Sequence, residues 1–256
     1  MNQPKEPTSM NTHFRDTRLI PLLRAISFVA LGAACASLPV AAGSIQATAA
    51  PDLIVPDGND SGIFSILNIP ASTESIADIR LTLNLAGEPG GAWNGDLYIY
   101  IVHGGYLSVL ANRPGVSSTN PFGYGDNGMA QVTFDDSAVL GDFHVYQSTL
   151  NTTDSTLPIT GIFQPDGRTS DPSVVALDDP RTAMLSGFQG QNPSGDWRLF
   201  LADLSPGGSA RLASWELNIT TRDVVHVPES GPGLAFIGLS ALLMALTPRF
   251  LRRRAT

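Results

Sequence analysis

Lysine is almost missing from this chain: Lys5 is the only one in 256 residues. Between Ser44 and Val227 there are seven arginines against twenty aspartates and glutamates, a balance of about −13. A body so short of positive charge cannot gather the basic surface that phosphate binding requires, which excludes nucleic acid as a partner. Its acidity suits an exported, soluble protein and directs attention to calcium, a cation that takes oxygen ligands. Cysteine is as scarce. Cys35 stands alone, so neither an intramolecular disulfide nor a Cys-ligated metal cluster can form. It lies in an apolar run, LGAAC, where lipidation is conceivable, but the leucine stands four residues upstream rather than three. Histidine is confined, beyond the leader, to His103, His144 and His226. No H-E-x-x-H spacing suggests zinc, and no serine sits in a G-x-S-x-G elbow. Finally, no segment between Leu53 and Thr220 carries a sustained apolar repeat of 3.6 residues, which excludes a helical body.

What the sequence does have is alternation. Ile79, Leu81, Leu83 and Leu85 alternate with Asp78, Arg80, Thr82 and Asn84. Leu97, Ile99 and Ile101 alternate with Tyr98, Tyr100 and Val102, and Ile63, Ser65, Leu67 and Ile69 begin the series. A period of two is that of a strand with one buried face. Tyr106 to Leu110, Gln131 to Phe134 and Ile159 to Gln164 are further strand candidates, with long loops at Asn112 to Gly128 and Gly141 to Pro158. The most patterned stretch runs from Leu185 to Ile219. There Trp197, Leu199 and Leu201 precede a polar turn, Asp203 to Ser209, and Trp215, Leu217 and Ile219 follow it, which predicts a hairpin. Short strands separated by Gly, Pro, Asn and Asp predict an all-β, antiparallel sandwich closed by two large indole rings.

The two ends read differently. Residues 1–50 have a charged start, an apolar run from Ala25 to Leu38, and small-residue cleavage sites at Ala41-Ala42 and Ala47-Thr48-Ala49, the layout of a secretory signal and leader. The run is shorter than the roughly 20 residues of a spanning helix. At the other end a linker, residues 221–231, carries Val227, Pro228, Glu229, Ser230 and Gly231. An apolar, transmembrane-like helix and an arginine cluster follow over residues 232–256. This arrangement resembles the tripartite PEP-CTERM sorting signal read by exosortase-type enzymes of Gram-negative bacteria, here as a VPESG variant. It implies membrane anchoring by the apolar helix, arginines on the cytoplasmic side, and later release to the cell surface or extracellular matrix.

The middle, residues 53–220, resembles the P domain, or Homo B domain, of proprotein convertases and secreted bacterial proteins. Asp57, Ser61 and Gly62 match its opening motif, and Ile76 to Leu85 its second strand. Gly95-Asp96-Leu97 matches G-D-L, Phe134 to Ala138 matches F-D-D, and Gly161 to Pro165 matches G-x-[YF]-x-P. Leu185, Phe188, Gly190, Gly195, Trp197, Leu199, Asp203, Leu212, Trp215 and Leu217 match its closing half. The chain departs after Ile101, where IVHGGYLSVL replaces the family's S-P-S/D-G-T hairpin. The resemblance implies a jelly-roll, galactose-binding-like sandwich flanked by the signal helix and the C-terminal helix. It also implies an association with serine-type, subtilisin-like endopeptidases. No segment matches the Asp, His and Ser motifs of a subtilisin catalytic domain, so the chain itself is expected to be non-catalytic, a structural or binding module or an accessory of a separate protease. Asp96, Asp135, Asp136 and Asp203 fall at strand ends, and are expected to converge at one edge as calcium ligands, since clustered carboxylates repel without a cation. Tyr98 and Tyr100, on the polar side of their strand, are candidates for binding carbohydrate, such as an extracellular polysaccharide.

Overall fold

The computed structural model describes residues 42–223. These form ten strands. They are β1 (Ala42–Ala49), β2 (Leu53–Ile54), β3 (Asn59–Ile69), β4 (Ser75–Gly87), β5 (Leu97–His103), β6 (Tyr106–Asn112), β7 (Met129–Phe134), β8 (Ile159–Phe163), β9 (Gly195–Asp203) and β10 (Ala210–Arg222). One sheet has the order β1-β10-β4-β7-β8, with β2 also on β10; the other has the order β3-β9-β5-β6. The alternating residues point inward as their period predicts. Ile79, Leu81, Leu83, Leu85, Leu97, Ile99, Ile101, Leu199, Leu201, Leu217 and Ile219 are buried in one core between the sheets. Each such side chain contributes roughly 1.5–3 kcal/mol when fully withdrawn from water. The chain is thus an all-β sandwich.

Trp197 and Trp215 are both buried in that core, and each indole N–H finds an acceptor: the Pro193 carbonyl at 2.9 Å and Ser65 Oγ at 2.8 Å. Their strands, however, do not form the expected hairpin. Asp203 closes β9 against Leu97 and Asn59, whereas Ala210 opens β10 against Gly87, in the other sheet. The intervening turn therefore arches from one sheet to the other. The two apolar faces meet across the core rather than side by side.

Three further expectations are corrected. The body begins before Leu53: β1 pairs with β10 along its full length, from Ala42 opposite Arg222 to Ala49 opposite Trp215. Residues assigned to the leader are therefore an edge strand, missed because AGSIQATA is small and polar. Secondly, the sandwich is not purely antiparallel, since β8 runs parallel to β7. A parallel neighbour requires a long crossover, and residues 135–158 supply it. They hold a 3₁₀ turn, Phe143–Val145, and a short helix, α1 (Tyr146–Leu150), where only a loop was expected. Thirdly, His103, which the sequence shows only as a histidine without a zinc-ligand spacing, is a buried, packed residue. It pairs with Tyr106 across Gly104 and Gly105, which sit at φ +56° and +84°, the two-residue turn that glycine favours. Its ring stacks on Trp197 at 4.0 Å.

The signal segment, Cys35, the Val227–Gly231 motif and the C-terminal apolar run lie outside the described residues. Among those described, no helix is long and apolar enough to cross a membrane.

Candidate functional site

Asp96 and Asp203 meet at one end of the sandwich. Asp96 closes a buried 3₁₀ turn, Asn94–Asp96, just before β5, and its carbonyl accepts the Leu204 amide at 2.9 Å. Asp203 ends β9 directly opposite Leu97. Both carboxyl groups are buried. Burial raises the Asp203 pKa to about 7, opposed by the Ser205 amide and reinforced by the charges of Asp96 and Asp57. Burial likewise raises that of Asp96, with Arg113, 3.9 Å away, working in the opposite direction. Asp57, which the sequence marks only as a residue of the opening motif, is a third carboxylate whose charge reaches this pair. Its carboxylate accepts the Gly207 amide at 3.0 and 3.2 Å, fastening the start of the domain to the arch.

Asp135 and Asp136 lie elsewhere. They follow Phe134, which pairs with Leu81 midway along β4, and Asp136 binds the turn leading to Gly190, whose amide donates to the Ile76 carbonyl at the start of β4, whereas Asp203 is next to the arch leading to Ala210, the partner of Gly87 at the end of β4. Asp135 binds Arg80 at 2.7 Å and accepts both the amide and the hydroxyl of Ser137. Burial works against its ionisation, yet these partners hold its pKa below the usual carboxylate value. Asp136 accepts the Leu185 and Ser186 amides at 3.0 and 2.7 Å. The four aspartates therefore do not converge at one edge. Among the described residues no three or more His, Cys, Asp or Glu side chains are grouped to hold a metal ion.

A third polar cluster, unforeseen in the sequence, lies under the long segment after β8. His144 Nδ1 is 2.8 Å from Asp166 Oδ2, and Nε2 is 3.0 Å from the Val116 carbonyl. Burial alone would lower the His144 pKa, but the hydrogen bond and charge of Asp166, with the Val116 carbonyl, raise it. Arg168 bridges Asp166 and Asp142 at 3.1 and 2.8 Å. A His–Asp pair invites comparison with a catalytic triad. Here both side chains are 1% exposed or less, and the second ring nitrogen already faces a carbonyl. The pair therefore cannot activate a nucleophile on a bound substrate. It holds a loop.

The outer face of the smaller sheet carries rings instead of the polar residues that alternation would place there. Phe64, Phe200 and Tyr100 stand at successive register positions on β3, β9 and β5, and Tyr98 lies two residues from Tyr100. Phe200 and Tyr100 stack at 4.6 Å, while Phe64 lies 5.0 Å from Phe200 and remains 45% exposed. Tyr98, Tyr100 and Phe200 line a cleft of about 520 Å³ together with Asp60, Arg113 and Asp171. Tyr98 and Tyr100 were foreseen as candidates. Phe64 and Phe200 were not, because each sits among apolar neighbours and reads as core.

No protein-family model and no curated protein matches the sequence. Solved structures similar to it include two from one organism. One is the serine protease of Aeromonas sobria in complex with a chaperone, at 15% identity over 73% of this chain and 28% of that one, with a TM-score of 0.36. The other is the Aeromonas sobria serine protease by itself, at 14% identity over 72% of this chain and 27% of that one, with a TM-score of 0.35. This chain spans less than a third of the length of either. Fold and site together define a class: a two-sheet all-β sandwich whose buried histidines are structural and whose accessible chemistry lies on a ring-bearing outer face.

Proposed function

We propose that this chain is an exported, non-catalytic P-domain (Homo B) module of jelly-roll type, acting as a structural or binding unit on the cell surface or in the extracellular matrix. The observation that carries this reading is that motif residues are fastening points of the fold. Asp57 of the opening motif binds Gly207 of the closing arch, and Asp136 of F-D-D binds Leu185 and Ser186 of the closing half. Gly95 of G-D-L packs so closely on residues 122–124 that an added Cβ would lie within 3 Å of their backbone. Residues far apart in sequence that fasten a fold in pairs are the ones a family pattern retains. The P-domain resemblance also ties the chain to subtilisin-like proteolysis through a separate protease partner. Its VPESG motif would be the substrate of an exosortase-type enzyme.

The test uses the full chain in its native host. The purified protein should hydrolyse no peptide or ester substrate and should take no label from a fluorophosphonate serine probe. Labelling of a serine in the body would overturn the non-catalytic reading. Cross-linking before purification should recover a subtilisin-like protease. The mature N-terminus should fall at or before Ala42, because a cut after Ala49 would delete β1.

A further inference from the structure

A second cleft, of about 430 Å³, adjoins the first, lined by Trp93, Phe122, Tyr124, Asp96, Asp154 and Ser205. Trp93 is 42% and Phe122 79% exposed, an unfavourable placement for large rings unless something covers them. The two clefts share a wall. Leu204 faces the first and Ser205 the second. Arg113, which lines the first, donates to the Gly95 carbonyl and to the Pro121 carbonyl, directly before Phe122. Arg113 is held at φ +48°, a left-handed conformation uncommon outside glycine and often found where side-chain placement matters. Both volumes lie within the roughly 300–1,000 Å³ of small-ligand sites.

We propose that the paired clefts form one extended site for a neutral oligosaccharide, with sugar rings seated against Tyr98 and Tyr100 on one side of Arg113 and against Trp93 and Phe122 on the other. Three features select this occupant. Aromatic faces carry negative charge density and suit the slightly positive C–H faces of sugar rings. Carboxylates at the rim, Asp60 and Asp171 in one cleft and Asp154 in the other, are acceptors for hydroxyls. They also disfavour anionic chains: the one cation lining either cleft, Arg113, already faces Asp96, and Arg198 lies over the Phe64 ring, outside both linings. Lastly, the rings of the first cleft stand on β5 and β9, the interior strands of their sheet, and the edge strand β3 contributes only Asp60 to its lining, so little free backbone edge is offered to an extended peptide. This inference goes beyond the P-domain reading and does not rest on it.

The experiment measures binding of cellohexaose, laminarihexaose and mannohexaose, and the corresponding trisaccharides, to the full chain by calorimetry. At least one hexasaccharide should bind saturably and more tightly than its trisaccharide. Tyr100→Ala should weaken it tenfold or more. Phe122→Ala, at a position too exposed to support the fold, should bring hexasaccharide affinity down to that of the trisaccharide. Unchanged near-ultraviolet circular dichroism separates these losses from misfolding. Saturable binding to none of the six sugars, or binding indifferent to both substitutions, overturns the proposal. So does tighter binding of deca-arginine than of every sugar, which would assign the clefts to a cationic peptide. None of these failures touches the serine-probe and cross-linking results, which test the P-domain reading separately.

Discussion

Two pairs of aspartates close strands at opposite ends of this sandwich, and their surroundings use the same side chain in opposite ways. At the Asp135–Asp136 end, Arg80 with the amide and hydroxyl of Ser137 meets Asp135, and two amides meet Asp136, fastening β7 to β4 and to the turn at Leu185. At the Asp96–Asp203 end, burial and mutual repulsion with Asp57 outweigh the Ser205 and Arg113 contacts that favour the charged forms. An aspartate at a strand end is therefore a fastener only where donors converge on it. Otherwise it is a source of repulsion that a proton relieves.

The largest test of that contrast is pH. The Asp203 carboxyl has an ordinary pKa of 3.8 and a folded value of about 7. The unfolded chain releases this proton near pH 4 and the folded chain keeps it to about pH 7. Stability thus falls as pH rises between those values and levels off above. The span corresponds to roughly 2–4 kcal/mol at about 1.4 kcal/mol per unit. Asp203→Asn should remove most of this slope and raise the melting temperature at pH 8; urea unfolding at pH 5 and pH 8 reads both. An unchanged slope would show that the Asp203 end is not the frustrated one. Next in size, Asp136→Ala removes the acceptor of two amides, that of Leu185 being part-buried, and should cost about 1–2 kcal/mol. Asp135→Asn should lose about 1 kcal/mol or less, because Arg80 is 54% exposed and water screens the pair. The sign at Asp135 is opposite to that at Asp203: its contribution is present above pH 4 and lost as pH falls through its lowered folded value. The smallest effect is calcium's. With the four aspartates divided between two ends, millimolar calcium should shift the melting midpoint by less than about 1 °C, and a clear rise abolished by Asp203→Asn would contradict the separation drawn here.

The comparison also marks what could be read in advance. The inward faces of β4, β5, β9 and β10 were legible because hydrophobic alternation is a local property, imposed by the buried face of each strand. The placement of Asp135 and Asp136 was not, because strand ends meet according to which sheet each strand joins. Nothing in Trp197 to Ile219 encodes that choice locally. The β1 strand was hidden by weak side chains whose burial is lent by β10. Likewise α1, at five residues, is too short for a helical period to show. Tyr98 and Tyr100 were visible as outward rings amid alternation, whereas Phe200 became visible only once β9 had a defined outer face. His144 and Asp166, 22 positions apart, gave no signal of contact at all.

The direction of β10 has a further consequence. It runs thirteen residues from Ala210, beside the arch, to Arg222, which pairs with Ala42 and Ser75. At about 3.3 Å per residue that is a strut of roughly 40 Å. Both chain exits from the body thus leave by the same door, and the clefts open near the opposite pole. The ring-lined clefts, walled by Leu204, Ser205 and Pro206 of the arch, belong to the Ala210 end of that strut and not to the end where Ala42 and Arg222 meet.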